Sequence, residues 1–184
     1  MLLIIDNGSQ KIKQFAGTLQ EWDVPYKMIR GSNNADLRGV EGIILSGGSG
    51  HPAQRTDIYG NYAALLKTQV PVLGLCLGHE MIAHYYGGSL ETLLKLQLGL
   101  QEVIIEKPDP LFPKRRYLLE KKHSYHVTTV PKDFVVLGYS AACPIEIIKH
   151  STRPIYGIQG HPEVSEEGLE IMKDFLKMCG LKPK

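Results

Sequence analysis

Short apolar runs alternate with amphipathic stretches through the first half of the chain. The apolar runs have the length and composition of buried strands and cover residues 2–5, 24–29, 40–45 and 70–76. Helical spacing of apolar residues marks three stretches between or after them: Ile12, Phe15, Ala16 and Leu19; Ile58, Tyr62, Leu65 and Leu66; and residues 78–86. Ser9 is placed to cap the first helix. This order predicts an open, mostly parallel, doubly wound α/β sheet of the flavodoxin-like kind.

The second half has a different pattern, of short alternating segments separated by turns. They cover residues 103–105, 117–119, 127–130, 135–139, 145–148 and 155–158, and they predict a small antiparallel extension of the sheet. Ser165 then begins a last helix that ends at Gly180 and buries Leu169, Met172, Phe175 and Leu176. No repeat or linker interrupts the sequence, so we expect a single domain over residues 1–184.

Composition narrows the class of protein. With 43% hydrophobic and 22% charged residues among 184, the chain has ordinary globular usage. A formal charge of +2 gives no electrostatic reason to expect a nucleic-acid ligand. No apolar run is long enough to cross a bilayer, and Met1 is not followed by a basic, cleavable leader. The three cysteines form no close pairs, which favours reduced thiols and a cytoplasmic location.

The segment around Cys76 carries the strongest chemical signal. Cys76 follows an apolar strand and precedes a helix, with Gly74 and Gly78 on either side, which is the arrangement of a nucleophile on a tight turn. Free N–H groups at the start of a helix favour negative charge, so we expect a lowered thiol pKa. The alternative is that Cys76 is simply a small buried residue. His79, in the first turn of the following helix, is interpreted as structural.

A base for this thiol is found late in the chain. His161 follows the apolar segment 155–158, and Glu163 lies two residues further on, where its carboxylate can hold one ring nitrogen. The other nitrogen would then face the thiol. Zinc ligation by Cys76, His161 and Glu163 is the alternative, but no Cys-x-x-Cys or His-x-x-x-His pair supports it.

The loop at residues 46–50, Ser-Gly-Gly-Ser-Gly, follows the third apolar run. Its glycines allow backbone N–H groups to point into a crevice and to stabilise an oxyanion. A dinucleotide-binding loop and a pyrophosphate-binding loop are weaker alternatives, because Pro52 interrupts the following helix and the expected Asp-Ser pair is missing. A Walker-type Gly-Lys-Ser/Thr sequence is also absent.

Together, the Gly-x-Cys-x-Gly-His segment, the upstream Ser-Gly-Gly loop and the downstream His-Pro-Glu sequence resemble the class I (triad) glutamine amidotransferases. The resemblance covers nearly the whole chain, in the right order. Within the family, residues 5–10 and 154–159 most resemble the glutaminases of GMP synthetases. The glutaminases of anthranilate synthase and aminodeoxychorismate synthase share the catalytic motifs and stay open as alternatives.

The resemblance implies roles for individual residues. Cys76 would be the nucleophile, His161 the general acid and base, and Glu163 the carboxylate that orients it. The N–H groups of Gly48 and Leu77 would form the oxyanion hole. Glutamine itself would be held by four further positions: Gly47, Glu80, His123 and Ser124.

The resemblance also implies a partner. Glutamine would be the substrate, and the ammonia would pass to a separate ATP-pyrophosphatase (synthetase) subunit that makes GMP from XMP. ATP and magnesium would belong to that subunit, so this chain is expected to need no cofactor and no metal. Neither a nucleic acid nor a membrane is expected as a partner.

Several positions depart from the family pattern. Glu80 replaces a glutamine that contacts substrate, and residues 122–125 read Lys-His-Ser-Tyr instead of Ser-His-x-Asp. Gly160 replaces an aromatic residue, and Leu98 stands where many relatives have tyrosine. These departures leave two further hypotheses: a non-catalytic regulator that kept the fold, and a hydrolase of another γ-glutamyl compound.

Overall fold

The protein is built around one nine-stranded sheet with four α-helices. The computed structural model describes residues 1–184, apart from the side chains of residues 59–61, 63 and 64. The strands are β1 (Leu2–Asn7), β2 (Tyr26–Arg30), β3 (Gly42–Gly48), β4 (Val72–Leu75), β5 (Ser89–Ile105), β6 (Arg116–Thr129), β7 (Phe134–Tyr139), β8 (Ile147–His150) and β9 (Ile155–Ile158). The helices are α1 (Gln10–Glu21), α2 (Thr56–Leu65), α3 (Leu77–Tyr85) and α4 (Glu166–Met178), with short 3-10 turns at Pro52–Gln54 and Pro162–Val164.

The strand order is β2-β1-β3-β4-β9-β8-β7-β5-β6. The first five strands in this order are parallel and the remaining pairings are antiparallel. The predicted α/β class is therefore confirmed, including the doubly wound part and its antiparallel extension. The order reverses at β1, so β1 and β3 form the switch point at which open α/β sheets place their ligand crevices.

Alternation along the central strands separates two hydrophobic layers. Leu2 and Ile4 of β1 belong to a core closed by α1 and α4, whereas Leu3 and Ile5 belong to a core closed by α2 and α3. Each face of the sheet is thus covered by two helices, as the helical spacing in the sequence predicts. On α1 the predicted stripe is buried at Ile12, Phe15 and Leu19, while Ala16 is only half-buried.

The two predicted helix caps behave differently. Ser9 Oγ accepts a hydrogen bond from the Ile12 N–H at 3.4 Å, so it caps α1 as predicted. Ser165 occupies the cap position of α4, but its hydroxyl makes no capping bond. It donates instead to the His161 carbonyl at 2.8 Å, which ties the last helix to the loop after β9.

The antiparallel part differs most from the sequence expectation. Strand β5 runs for 17 residues although the pattern predicts only residues 103–105, and β6 is one continuous strand where the pattern predicts two short ones. These strands pair mainly with each other, and only Ile104 and Ile105 of β5 reach β7. Much of the hairpin therefore projects leucines into solvent, which inverts the usual pattern of buried apolar positions.

Strand β9 corrects a second expectation. The sequence pattern groups it with the antiparallel segments, yet it pairs parallel to β4 and antiparallel only to β8. It thus lies at the boundary between the two parts of the sheet, with its carboxyl end beside that of β4. In the part of the chain that the structure describes, no helix combines the length and apolar character needed to cross a membrane.

Candidate active site

Cys76 stands between β4 and α3 with a strained backbone. Its φ is 49° and its ψ is −106°, a backbone conformation that residues other than glycine rarely adopt. The neighbouring glycines are required by close approach, because a Cβ on Gly78 would lie 2.1 Å from the Leu45 carbonyl oxygen. A Cβ on Gly74 would lie 2.6 Å from the Gly78 carbonyl. The turn therefore holds the sulfur at the carboxyl edge of the sheet.

A cavity of about 380 Å³ opens at this edge. It is formed where β1, β3 and β4 end, and Cys76 and His161 both line it. The two side chains are almost fully buried, with 4% of each residue exposed. The cavity is thus a partly open crevice lined by a thiol and an imidazole, of a size suited to a small amino acid.

His161 is held in place by its side chain and by its backbone. Its Nδ1 lies 2.9 Å from Glu163 Oε1, in a pair whose side chains are 5% and 0% exposed. Its backbone N–H donates to the Glu120 carbonyl of β6 at 2.8 Å. With Nδ1–H donated to the carboxylate, Nε2 is the ring nitrogen left for chemistry.

Gly47 marks the point where the thiol and the imidazole meet. A Cβ on Gly47 would lie 3.0 Å from His161 Cε1 and 3.5 Å from Cys76 Cβ. The structure thus brings Cys76, His161 and Glu163 together, although they come from different parts of the chain. It also places Gly47 directly against the first two of them.

The structure corrects the expectation, made from the sequence, that the pKa of the Cys76 thiol is lowered. Burial raises the pKa of Cys76 well above its usual value, and the nearby carboxyls of Glu80 and Glu163 raise it further. The Leu77 N–H at the start of α3 lowers the thiol pKa as expected, but burial outweighs it. The resting thiol is therefore protonated, and a thiolate needs a base to form.

Glu80 lines the same cavity from the first turn of α3. Burial raises the pKa of its carboxyl to about 8, against the lowering effect of the Gln159 side chain. Gln159 Nε2 donates to Glu80 Oε1 at 2.9 Å. At neutral pH most of Glu80 is thus an uncharged acid whose O–H can donate, as the amide of a glutamine would.

The other predicted substrate positions also adjoin the cavity. His123 and Ser124 line it, and so does Gly48, one of the two predicted oxyanion-hole positions; the other, Leu77, is not among the lining residues. His123 Nδ1 lies 2.8 Å from the Tyr125 carbonyl, and burial lowers the pKa of the imidazole, which favours the neutral ring. Leu98 is 61% exposed and is not among the lining residues, whereas Leu96 is.

Some residues around the cavity are not predicted by the sequence pattern. Gln10 and Lys11 line it at the start of α1, and Tyr125 lines it from β6. Gln10 and Lys11 could have been expected near the site from the sequence, because α1 begins directly after β1 at the carboxyl edge of the sheet. His79 is fully buried and its pKa is lowered to about 3 by burial, which fits the structural interpretation.

A zinc site built from the predicted triad is not supported. Among the described residues, the single trio of His, Cys and acidic side chains with ligand atoms within 4.8 Å of one another is His123, Cys143 and Glu146. In that trio Glu146 is already paired with the buried Lys121 ammonium. The charge that would attract a cation is therefore neutralised within the protein.

Comparison with known proteins agrees with this geometry. The family model described as glutamine amidotransferase class-I matches residues 3–179. A protein named as a glutamine-hydrolyzing subunit of GMP synthase, from Methanocaldococcus jannaschii, is 36% identical, over 99% of this chain and 99% of its own. One of the same name from Pyrococcus abyssi is 37% identical, over 98% of this chain and 99% of its own.

Comparison with solved structures also finds similarity to glutamine amidotransferases. A crystal structure described as that of a putative GMP synthase subunit from Thermoplasma acidophilum has a TM-score of 0.89 at 28% identity, covering 97% of this chain and 93% of that one. A glutamine amidotransferase from Thermotoga maritima has a TM-score of 0.78 at 17% identity, covering 96% of this chain and 81% of that one, and supports the fold alone. The chain belongs to the class-I glutamine amidotransferase family.

Proposed function

We propose that the chain is the glutamine-hydrolysing subunit that supplies ammonia to a separate, ATP-dependent synthetase making GMP from XMP. The observation that carries the proposal is the buried His161–Glu163 pair beside Cys76, at the wall of one cavity. The relatives named as glutamine-hydrolyzing subunits of GMP synthase, matched over almost their whole length, support the choice of product.

The first step is activation of the thiol. Because the Cys76 pKa is raised, the sulfur needs a base, and the Nε2 of His161 is the nitrogen left free to accept its proton. The thiolate then attacks the side-chain carbonyl carbon of glutamine, and the carbonyl oxygen becomes an oxyanion. We assign its stabilisation to the N–H groups of Gly48 and Leu77. One such donor contributes about 3 kcal/mol to the transition state in other acyl-transfer enzymes.

The second half of the reaction returns the proton. The His161 imidazolium protonates the leaving nitrogen, the C–N bond breaks, and ammonia departs from a γ-glutamyl thioester on Cys76. His161 then takes a proton from water as the water attacks the thioester. The C–S bond breaks, the sulfur is reprotonated, and glutamate is released. Glu163 keeps the ring oriented throughout and stabilises its charged form.

Substrate is positioned by the remaining residues of the cavity. We assign the side-chain amide of glutamine to Gly47, next to the reacting atoms. Glu80, as a neutral acid, takes the place of the amide donor that the family usually has there. The backbone around His123 and Ser124 is assigned to the amino-acid end of glutamine.

The separate synthetase subunit is supported by the surface next to the cavity. Leu94, Leu96, Leu98 and Leu100 alternate along β5 and are 109%, 52%, 61% and 63% exposed. A stripe of this kind on a protein surface usually marks an interaction site. Leu96 also lines the cavity, so a synthetase covering the stripe would lie where ammonia leaves. ATP and magnesium belong to the synthetase in this proposal, and the reaction is placed in the cytoplasm.

The test compares the parent chain with Cys76→Ala, each mixed with the candidate synthetase and supplied with glutamine, XMP, ATP and magnesium. Glutamate and GMP should form at the parental rate only with the intact thiol. Parental rates from Cys76→Ala would overturn the mechanism. A chain that turns over glutamine but binds an enzyme acting on chorismate would overturn the product assignment alone. Preferential turnover of another γ-glutamyl compound would overturn the substrate assignment.

A further inference from the structure

A fully buried ion pair lies below the catalytic crevice. Lys121 of β6 is 0% exposed and Glu146, which precedes β8, is 1% exposed; the ammonium contacts Glu146 Oε2. Glu146 Oε1 accepts a hydrogen bond from Ser140 Oγ at 2.6 Å. Both carboxylate oxygens are therefore occupied, and the pair forms a closed polar unit inside the protein.

The chain segment that carries Lys121 also contacts the reacting residues. On one side of Lys121, the Glu120 carbonyl accepts the His161 N–H at 2.8 Å. On the other side, the Lys122 carbonyl lies 3.9 Å from Cys76 Sγ and accepts from the thiol. Whatever fixes Lys121 therefore also fixes the backbone that touches both the base and the nucleophile.

Glu146 is tied to the same region from the opposite side. Its carbonyl accepts the Gln159 N–H at 2.8 Å, two residues before His161. The ion pair thus bridges β6 and the end of β9, the two elements that hold the imidazole.

Space for the ammonium is left by Gly160. A Cβ there would lie 3.3 Å from Lys121 Nζ and 3.1 Å from Leu119 Cβ, so a larger side chain would push into the ion pair. The buried Lys121 ammonium is therefore accommodated beside a residue without a side chain at position 160.

From these contacts we infer that Lys121 and Glu146 are positioning residues for the glutaminase reaction: they set the β6 backbone against His161 and Cys76 and place a fixed positive charge behind the sulfur. The inference rests on the proposed function. Glu80 from α3 and Glu163 from the 3-10 turn after β9 raise the pKa of Cys76, whereas Lys121 lowers it. The His161 imidazole faces the same thiol beside Gly47. The Lys121 ammonium also acts to lower the pKa of His79, of His123 and of Cys143.

The experiment measures the rate of Cys76 alkylation by iodoacetamide as a function of pH, for the full chain alone. The main variant is Lys121→Met with Glu146→Gln, which removes both charges and leaves no unpaired ion in the core. Lys132→Met, at an exposed position, is the control for loss of one positive charge. Thermal unfolding of each variant establishes that it is folded.

In the double variant, we expect the alkylation profile to shift to higher pH by about 0.5 unit or more, while Lys132→Met keeps the parental profile. With the synthetase present, kcat for glutamine should fall about tenfold or more in the double variant and KM should stay within about twofold, because neither residue touches substrate. A folded double variant with the parental alkylation profile and kcat would overturn the inference. If the double variant fails to fold, Glu146→Gln alone replaces it. A lowered kcat with unchanged KM then supports the inference, and a parental kcat and profile in that folded variant would overturn it.

The alkylation profile needs neither glutamine nor a synthetase. A shifted profile in a chain that does not hydrolyse glutamine would therefore reject the proposed function and keep the inference about the ion pair. If the chain hydrolyses glutamine and the double variant keeps the parental profile, the proposed function stands and the inference about the ion pair is rejected.

Discussion

The Glu80 carboxyl, which lines the cavity, accepts a hydrogen bond from the buried Gln159 amide, with Gln159 Nε2 2.9 Å from Glu80 Oε1. Glu80 is 3% exposed and Gln159 is 0% exposed. This pair places an acidic residue beside the Cys76 thiol without placing a full negative charge there, because burial raises the Glu80 pKa to about 8. Glutamine hydrolysis is therefore compatible with a carboxyl at this position as long as it keeps its proton.

The first prediction concerns the pH dependence of the reaction. Above pH 8, Glu80 ionises and its charge raises the Cys76 pKa further, so kcat/KM for glutamine should fall on the alkaline side. Glu80→Gln cannot ionise and should lose this alkaline decrease. The measurement is kcat/KM from pH 6 to about 9.5 for both proteins. The same alkaline decrease in the parent and in Glu80→Gln would contradict the assignment.

The same carboxyl predicts an effect on stability. The folded pKa of Glu80 is raised, so the folded state holds a proton that the unfolded state releases above its ordinary pKa of 4.5. Stability from this group is present at acidic pH and is lost as pH rises towards 8. Relative to the parent, Glu80→Gln should gain roughly 1–3 kcal/mol in the free energy of unfolding between pH 5 and pH 8. Denaturant unfolding at both pH values measures it, and a gain of zero would be evidence against a buried, protonated carboxyl.

Glu163 is expected to act through His161. Glu163→Gln keeps the size of the side chain but removes the charge that stabilises the imidazolium, so kcat should fall about a hundredfold or more with little change in KM. Glu166→Gln, on the exposed first turn of α4, is the matched control and should keep the parental rate. Steady-state kinetics with the synthetase present decides it; a loss below about threefold would remove Glu163 from the mechanism.

Two glycines give a paired test of the turn at Cys76. Gly78→Ala introduces a Cβ at 2.1 Å from the Leu45 carbonyl oxygen and should cost about 2 kcal/mol or more of unfolding free energy. Gly17→Ala, in α1, has no atom within 4 Å of the new Cβ and should stabilise by about 0.5–1 kcal/mol. Urea unfolding compares the two. Equal effects would mean that the packing around the turn is not as tight as described.

The leucine stripe on β5 predicts where a synthetase binds. Leu98→Gln with Leu100→Gln changes two exposed residues that do not line the cavity, so Cys76 alkylation should keep its parental rate. Binding to the synthetase should weaken about tenfold or more. Tyr139→Ser, an exposed change on β7, is the control. Titration of each variant into the synthetase by calorimetry gives the binding constants, and unaltered affinity in the double variant would place the interface elsewhere.

The central sheet could be predicted because its residues obey one rule. In β1, alternate residues serve two cores, so the strand is continuously apolar, and the stripe Ile12, Phe15 and Leu19 identifies the helix packed on it. The β5–β6 hairpin follows no such rule. Five of its leucines are exposed, so their alternation indicates a surface although such a pattern usually indicates burial: Leu94, Leu96, Leu98, Leu100 and Leu118.

The proximity of the predicted site residues could be expected from the sequence, whereas the electrostatics around them could not. Cys76, His161 and Glu163 stand at the ends of elements that the apolar pattern delimits, so their meeting could be expected. Lys121 could not be recognised, because residues 120–122 look like a solvated face and only packing shows that one of them is buried. The raised thiol pKa likewise comes from burial and from carboxyls that are distant in sequence or one turn away.

The central claim is that Cys76 carries the γ-glutamyl group during the reaction. The most direct measurement is rapid acid quenching of the chain during turnover with glutamine and the synthetase, followed by mass analysis of the intact chain and its peptides. We predict a mass increase of one γ-glutamyl group on the peptide that contains Cys76, absent from Cys76→Ala and removed by hydroxylamine. Steady glutamine hydrolysis without that adduct, or with the adduct on another residue, would contradict the account.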